Sequence, residues 1–271
     1  MHGKAGAERV DVETERGVIE RVQDMVAASS RIVVLTGAGI STDAGIPDFR
    51  GPNGLWTKNP KAERMANINY YLNDPEVREL AWQSRLGSAA WEARPTAGHR
   101  AIVELHERGQ LHAVITQNVD GLHQLAGLDD AQVIEVHGTM HYSRCWNCQE
   151  RLPMADTLVR VRAGEADPEC LRCRTNGLRG ILKSDTISFG QSLIPEVIDR
   201  AFQVAKECDL LIAIGTTLAV GPVNQVVPEA RRNGARIVIV NLGSTEMDHL
   251  ADEIVDAGIS ETLPVILSVA R

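Results

Sequence analysis

Short continuous apolar runs alternate along this chain with stretches in which apolar residues recur every three or four positions. The runs Ile32–Thr36, Ala113–Thr116, Gln132–His137, Leu210–Gly215, Ala235–Leu242 and Glu253–Asp256 are rich in β-branched residues, the pattern of strands buried on both faces. Helical spacing separates several of them, over Val18–Ala28, His99–Gly109 and Pro222–Asn233. Strands alternating with helices predict a parallel sheet covered on both faces.

Ligands in such sheets sit beyond the carboxyl ends of the strands. The predicted ends are Thr36-Gly37-Ala38-Gly39, Thr116-Gln117-Asn118-Val119-Asp120, Glu135-Val136-His137-Gly138, Gly215-Thr216-Thr217 and Asn241-Leu242-Gly243. Each alone is an ordinary cap or turn, but five polar or glycine-bearing ends are expected to converge on one crevice. At the first, a strand enters a glycine-rich turn, where unpaired backbone N–H groups can meet phosphate oxygens. The G-x-G-x-x-G pattern departs at Thr42, and a tight turn without a ligand explains the glycines equally well. Pro47-Asp48-Phe49-Arg50 then adds an acid, a ring and a guanidinium on a loop, where binding residues concentrate.

Two stretches interrupt the alternation. Residues 55–92 carry Trp56, Tyr70, Tyr71, Trp82 and Trp91 with helical character, and 141–183 hold paired cysteines. The expected organisation is a flexible tail over 1–14 and a Rossmann-like domain from 15–54, 93–140 and 184–271. The helical insertion 55–92 and the metal module 141–183 are expected to form a small domain over the crevice. A chain of 271 residues suits that plan. Its net charge of −8 argues against direct nucleic-acid binding, and no run reaches the length of a membrane span.

Cys145-Trp146-Asn147-Cys148 is followed by Cys170-Leu171-Arg172-Cys173. Two C-x-x-C pairs put four thiolates within reach of one tetrahedral ion, which predicts a closed structural zinc site with no open position for water. A redox role wants a single pair at a helix N-terminus. The fifth cysteine, Cys208, precedes an apolar run and reads as a buried thiol. This usage favours a reduced, cytoplasmic setting.

Taken in order, Gly37-Ala38-Gly39-Ile40-Ser41, Gly45-Ile46-Pro47-Asp48-Phe49-Arg50, Thr116-Gln117-Asn118-Val119-Asp120, His137-Gly138, the cysteine pairs, Gly215-Thr216-Thr217-Leu218 and Asn241-Leu242-Gly243 resemble the motifs of sirtuins, NAD-dependent protein-lysine deacylases. The resemblance covers about residues 18–265. It implies NAD as a consumed co-substrate, acyl-lysine proteins or peptides as partners, and nicotinamide, an O-acyl-ADP-ribose and free lysine as products.

Residue by residue, the resemblance implies that His137 is the base that activates a ribose hydroxyl; standing alone, it would read as a strand-end histidine bonded to backbone. Asn118 and Asp120 match the nicotinamide pocket, and Gln117 a ribose contact. Gly37, Ala38, Gly39, Asp48, Phe49 and Arg50 match the phosphate turn and cofactor loop, with Phe49 shielding the reacting carbon from water. Gly215, Thr216, Thr217 and Asn241 match contacts to phosphate and the adenosine ribose. Thr186–Gln191 matches a strand lining the acyl-lysine tunnel, with Ile187 and Phe189 on one face gripping the lysine stem. His123 is expected to be structural.

Several positions depart from the common pattern. Thr217 stands for serine, Lys183-Ser184 for arginine–proline, and Ser188 and Gln191 for an apolar residue and a glutamate. Trp82-Gln83-Ser84-Arg85 falls where sirtuins that remove acidic acyl groups carry Tyr-x-x-Arg. Arg85 therefore reads either as a solvated helix arginine or as the partner of a succinyl or malonyl carboxylate. Other readings are a mono-ADP-ribosyltransferase, a non-catalytic NAD sensor, which intact His137, Asn118 and Asp120 oppose, and a dehydrogenase, which the departure at Thr42 opposes. Oligomeric state is not legible.

Overall fold

The computed structural model describes residues 5–48, 54 and 60–268. Six strands form a parallel sheet: β1 (Ile32–Thr36), β2 (Leu111–Thr116), β3 (Val133–Glu135), β7 (Leu210–Ile214), β8 (Arg236–Val240) and β9 (Glu253–Val255). Their spatial order is β3-β2-β1-β7-β8-β9. Every residue of β1 and β7 is buried, as a central strand covered on both faces requires. One core layer joins Ile32, Val34, Ile212 and Val240 to Val22, Ile102 and Leu263 from helices on one side. The other joins Val33, Leu35, Leu211 and Ile239 to Ala201, Val226 and Ala230 on the opposite side. Burying each such aliphatic side chain is worth roughly 1.5–3 kcal/mol.

The strand order reverses direction between β1 and β7, which places the ligand crevice at their carboxyl ends. The two ends touch backbone to backbone. A Cβ on Gly39 would fall 2.6 Å from the Gly215 Cα, so neither position admits a side chain without movement.

The second sheet has three strands in the order β5-β4-β6: β4 (Gly138–Cys145), β5 (Arg151–Pro153) and β6 (Leu182–Thr186). It extends beyond 141–183 at both ends. Helix Pro75–Leu86 lays Trp82 into its core beside Cys145, Met154, Leu158 and Leu182. Tyr71 Oη donates to the Leu182 carbonyl at 2.8 Å. The buried Arg78 guanidinium is held by Asp167 at 2.9 Å and by the Tyr71 carbonyl at 3.1 Å. These polar bonds tie the helical segment to the module where apolar area is limited.

Two expectations are corrected. Residues 5–14, expected in a loose tail, lie within a helix that runs Ala5–Ala27. Thr186–Gln191 is not a strand: β6 ends at Thr186, and beyond it Phe189 makes only an isolated bridge to Asn67. Ile187 and Phe189 therefore do not share a strand face. The ladder stops because β4, the pairing partner of β6, begins at Gly138 opposite Thr186. Gly190, at φ +80°, then turns the chain away.

Candidate functional site

The carboxyl ends of β1, β2 and β7 carry a continuous polar network. Ser41, in the turn Ala38–Ala44 after β1, donates from Oγ to Asp120 Oδ2 at 2.7 Å. Asn118 Nδ2 donates to the Gly37 carbonyl at 3.0 Å and to Ser41 Oγ at 3.2 Å. The Leu122 N–H reaches Asp120 Oδ1 at 3.0 Å, so both carboxylate oxygens are held. Gln117 Nε2 donates to Thr216 Oγ1 at 2.9 Å, which links β2 to β7. Expected from separate strands, Gln117, Asn118, Asp120, Gly37 and Thr216 form one cluster.

His137 stands at the edge of this cluster, half-buried. Its Nδ1–H donates to the Gln117 carbonyl at 3.0 Å, which fixes the tautomer and leaves the Nε2 lone pair as the acceptor. Burial lowers its pKa from the ordinary histidine value, outweighing the opposite effect of the Gln117 bond. A neutral, oriented imidazole can take a proton at neutral pH. The His137 carbonyl accepts from the Ile187 N–H at 2.7 Å, so Ile187 is beside it.

Two of the backbone donors expected in the phosphate turn are already paired. The Gly37 N–H donates to the Ile214 carbonyl at 3.0 Å and the Gly39 N–H to the Gly215 carbonyl at 2.9 Å. Those donors are spent on strand packing, so here the glycines serve close approach between strand ends. Asn241 is buried and turns its Nδ2 to the carbonyls of Leu242 and Gly243 at 3.1 and 3.0 Å. Thr217 is exposed. Asp48 is partly buried, and Phe49 and Arg50 lie outside the described residues.

Phe189 is 42% exposed, with its N–H on the Ala66 carbonyl at 2.8 Å. Arg85 is partly buried. Its guanidinium carbon lies 5.4 Å from the Trp82 ring centroid and 5.9 Å from that of Tyr71. Burial lowers its pKa from the ordinary value. It makes no ion pair among the described residues. Nearby Lys183 gives its Nζ to the Ser184 and Thr186 carbonyls at 2.8 and 2.5 Å. Burial, with Arg85 and Arg144 adding to it, pulls the Lys183 pKa down to about 7.

The four cysteines of the second sheet lie together, all Sγ atoms within 4.8 Å of one another. Cys145 and Cys173 are 3.7 Å apart, and Cys148 and Cys170 are 3.6 Å apart. A tetrahedral zinc with ~2.3 Å bonds to sulfur requires edges of ~3.8 Å, so these residues fit that ion.

Sequence reasoning left Ser41 out of the candidate site although it sits in the quoted turn motif, where a hydroxyl beside two glycines was the available signal. His141, whose Nε2 donates to the Asp120 carbonyl at 2.9 Å, gave no such signal. It reaches the site from β4, and only the packing of the two sheets brings it there.

The sequence matches the Sir2 family over residues 37–222. It is 47% identical over 236 residues to NAD-dependent protein deacetylase 2 of Streptomyces coelicolor, covering 87% of this chain and 96% of that one. It is 40% identical over 263 residues to NAD-dependent protein deacetylase 1 of Pyrobaculum aerophilum, covering 97% and 98%. A chain solved in work on the mechanism and regulation of Sir2 enzymes superposes with a TM-score of 0.82 at 34% identity, over 93% of this chain and 96% of that one. A Sir2 complex with a p53 peptide and NAD+ gives 0.79 at 30% identity, over 90% and 95%. With the crevice at the strand reversal and a cysteine module beside it, this chain belongs to the Sir2 family.

Proposed function

We propose that the chain is an NAD-dependent protein-lysine deacetylase, yielding nicotinamide, an O-acyl-ADP-ribose and free lysine. The observation that carries this reading is His137, its Nδ1 pinned by the carbonyl of Gln117, the residue next to Asn118 of the Ser41–Asn118–Asp120 cluster. NAD would supply the electrophilic ribose carbon, which the acyl oxygen would capture as nicotinamide leaves, and one water would be consumed in releasing the lysine. Asn118 and Asp120 hold the carboxamide end, their orientation fixed by Ser41, and Gln117 orients the adjoining ribose. His137 Nε2 takes the proton of a ribose hydroxyl, so that its oxygen can attack the acyl carbon.

Gly37, Ala38, Gly39 and Gly215 shape the floor under the phosphates through their packing, while Asp48, Phe49 and Arg50 belong to the covering loop. Thr216, Thr217 and Asn241 serve the phosphate and adenosine end. Ile187 and Phe189 flank the lysine stem, Ile187 through its bond to His137. Cys145, Cys148, Cys170 and Cys173 hold one structural zinc, and the chain works in the reducing cytoplasm. Acetyl-lysine is the first substrate. Succinyl- or malonyl-lysine is the second, favoured by the partly buried Arg85, which has no acidic ion-pair partner among the described residues.

The test is mass spectrometry of NAD incubated with matched acetyl-, succinyl- and unmodified-lysine peptides. Acyl-dependent nicotinamide release with O-acyl-ADP-ribose, lost in His137→Ala, is the expected result. ADP-ribose attached to protein without peptide turnover would replace this reading with a mono-ADP-ribosyltransferase.

A further inference from the structure

Two buried imidazoles lie beneath the crevice with no part in the reaction above. His99, in the first turn of helix Ala97–Glu107, is 0% exposed, and His123, in helix Leu122–Ala126, is 1% exposed. Their ring centroids are 4.8 Å apart, with the planes tilted by 55°. The polarity of their bonds can be read from the outside inward.

On one side, the Thr96 backbone N–H donates to His99 Nδ1 at 3.2 Å. That nitrogen carries the lone pair, so the neutral ring holds its proton on Nε2. The Thr96 hydroxyl lies 2.8 Å from the same Nδ1 and 3.2 Å from the Ile40 carbonyl, and its one proton is shared between these two acceptors. On the other side, Thr116 Oγ1 accepts from the Asn118 N–H at 3.1 Å and from Thr36 Oγ1 at 2.8 Å. The Thr36 oxygen is then the acceptor for His123 Nε2 at 2.9 Å, which puts the His123 proton on Nε2 and leaves Nδ1 bare.

His99 Nε2 and His123 Nδ1 are the ring nitrogens of this pair with no protein partner. One is a donor and the other an acceptor. Two imidazoles joined by an ordinary N–H···N bond have centroids about 5 Å apart, close to the spacing here. In this structure the two atoms are not yet hydrogen-bonded to each other.

We propose that His99 and His123 form a neutral imidazole pair, Nε2–H to Nδ1, closing a buried brace from Ile40 in the turn after β1 to the backbone of Asn118. Both are positioning residues: they set the distance between the phosphate side and the nicotinamide side of the crevice without touching a reacting atom. Burial keeps the rings neutral, lowering the His99 pKa to about 4 and that of His123 well below its ordinary value. Asp120 opposes this at His99, Arg100 adds to it, and His99 itself adds to it at His123. The functional half of this proposal rests on Asn118 holding nicotinamide; the tautomer half does not.

The first test is long-range ¹H–¹⁵N correlation on histidine-labelled protein. Both rings are expected as Nε2–H tautomers that do not titrate between about pH 6 and 8.5; an Nδ1–H form of either ring, or a titrating ring, overturns the brace. The second compares His99→Asn, whose amide oxygen replaces Nδ1 for Thr96 but leaves nothing at Nε2, with His99→Gln, whose N–H reaches the Nε2 position. The Asn variant should lose about tenfold in nicotinamide exchange, as one lost oriented bond implies, and the Gln variant should recover most of it at a similar melting temperature. Equal losses in both, or losses that track melting temperature, overturn the positioning role. Wild-type protein without NAD turnover would remove the functional reading and leave the tautomer result to judge the pair.

Discussion

His137 Nδ1 is tied to the carbonyl of Gln117 at 3.0 Å, so the residue expected to orient the ribose also fixes the tautomer of the expected base. Because burial lowers the His137 pKa below its ordinary 6.5, the reactive neutral form predominates at pH 7. The acid limb of kcat/KM for O-acyl-ADP-ribose formation should have its midpoint below 6.5. A midpoint at or above pH 7 would assign the limb to another group. His137→Ala should lower acyl-dependent turnover by about 10²-fold or more, the range of a lost general base.

Acid stability follows from the two buried histidines. With the folded pKa of His99 near 4, below the unfolded 6.5, the unfolded chain binds the extra proton between those values. Stability from this group is complete above pH 6.5 and is lost as pH falls toward 4. At pH 5 the loss is on the order of 2 kcal/mol for His99 alone, and His123 adds to it in the same direction. Urea titrations at pH 7.5 and 5 would measure the sum; unchanged stability would mean that the rings are hydrated.

Metal removal should act on the second sheet first. Trp82 is fully buried in the same cluster as Cys145, Cys170 and Cys173. Chelation should release one zinc per chain and red-shift Trp82 emission as that small core opens. Structural zinc contributes about 10 kcal/mol or more to such modules, more than so few apolar residues can replace. Metal content below half an equivalent in folded, active protein would contradict this.

Arg85→Met separates the acyl readings. If the guanidinium receives an acidic acyl group, succinyl-peptide turnover should fall by about tenfold or more while acetyl-peptide turnover changes little, since a charge-assisted bond contributes about 1.5–3 kcal/mol. Equal small changes in both would make Arg85 a packing residue stacked on Tyr71 and Trp82.

The parallel sheet was legible because strands buried on both faces must be apolar throughout. Ile32–Thr36 was bounded correctly since Ser29-Ser30 and Gly37 frame it. The cysteine module was legible from ligand spacing alone. Less was visible where a partner decides the outcome. Thr186–Gln191 has strand composition but outruns β4, the strand that pairs with β6 among the described residues. The helix over Ala5–Ala27 begins Ala-Gly-Ala-Glu-Arg, where Ala, Glu and Arg favour helix against Gly6 and no apolar stripe is marked. The role of Arg85 depended on two rings from different helices, one of them eleven residues past Tyr71 in sequence, and no spacing rule announces such a stack.

Gly138 directly follows His137 and opens β4, with φ +73° and with the Asp185 carbonyl where a Cβ would stand. Val136, on the other side, is bonded to the Thr116 carbonyl of the parallel sheet. His137 is thus the hinge pin between two separately built bodies, gripped by one at Val136 and by the other at Gly138 and Ile187. A cysteine module exchanged for one of different length should leave catalysis intact if the joints at Gly138 and Thr186 keep their register. A single residue inserted at either joint would silence the enzyme while both bodies still fold.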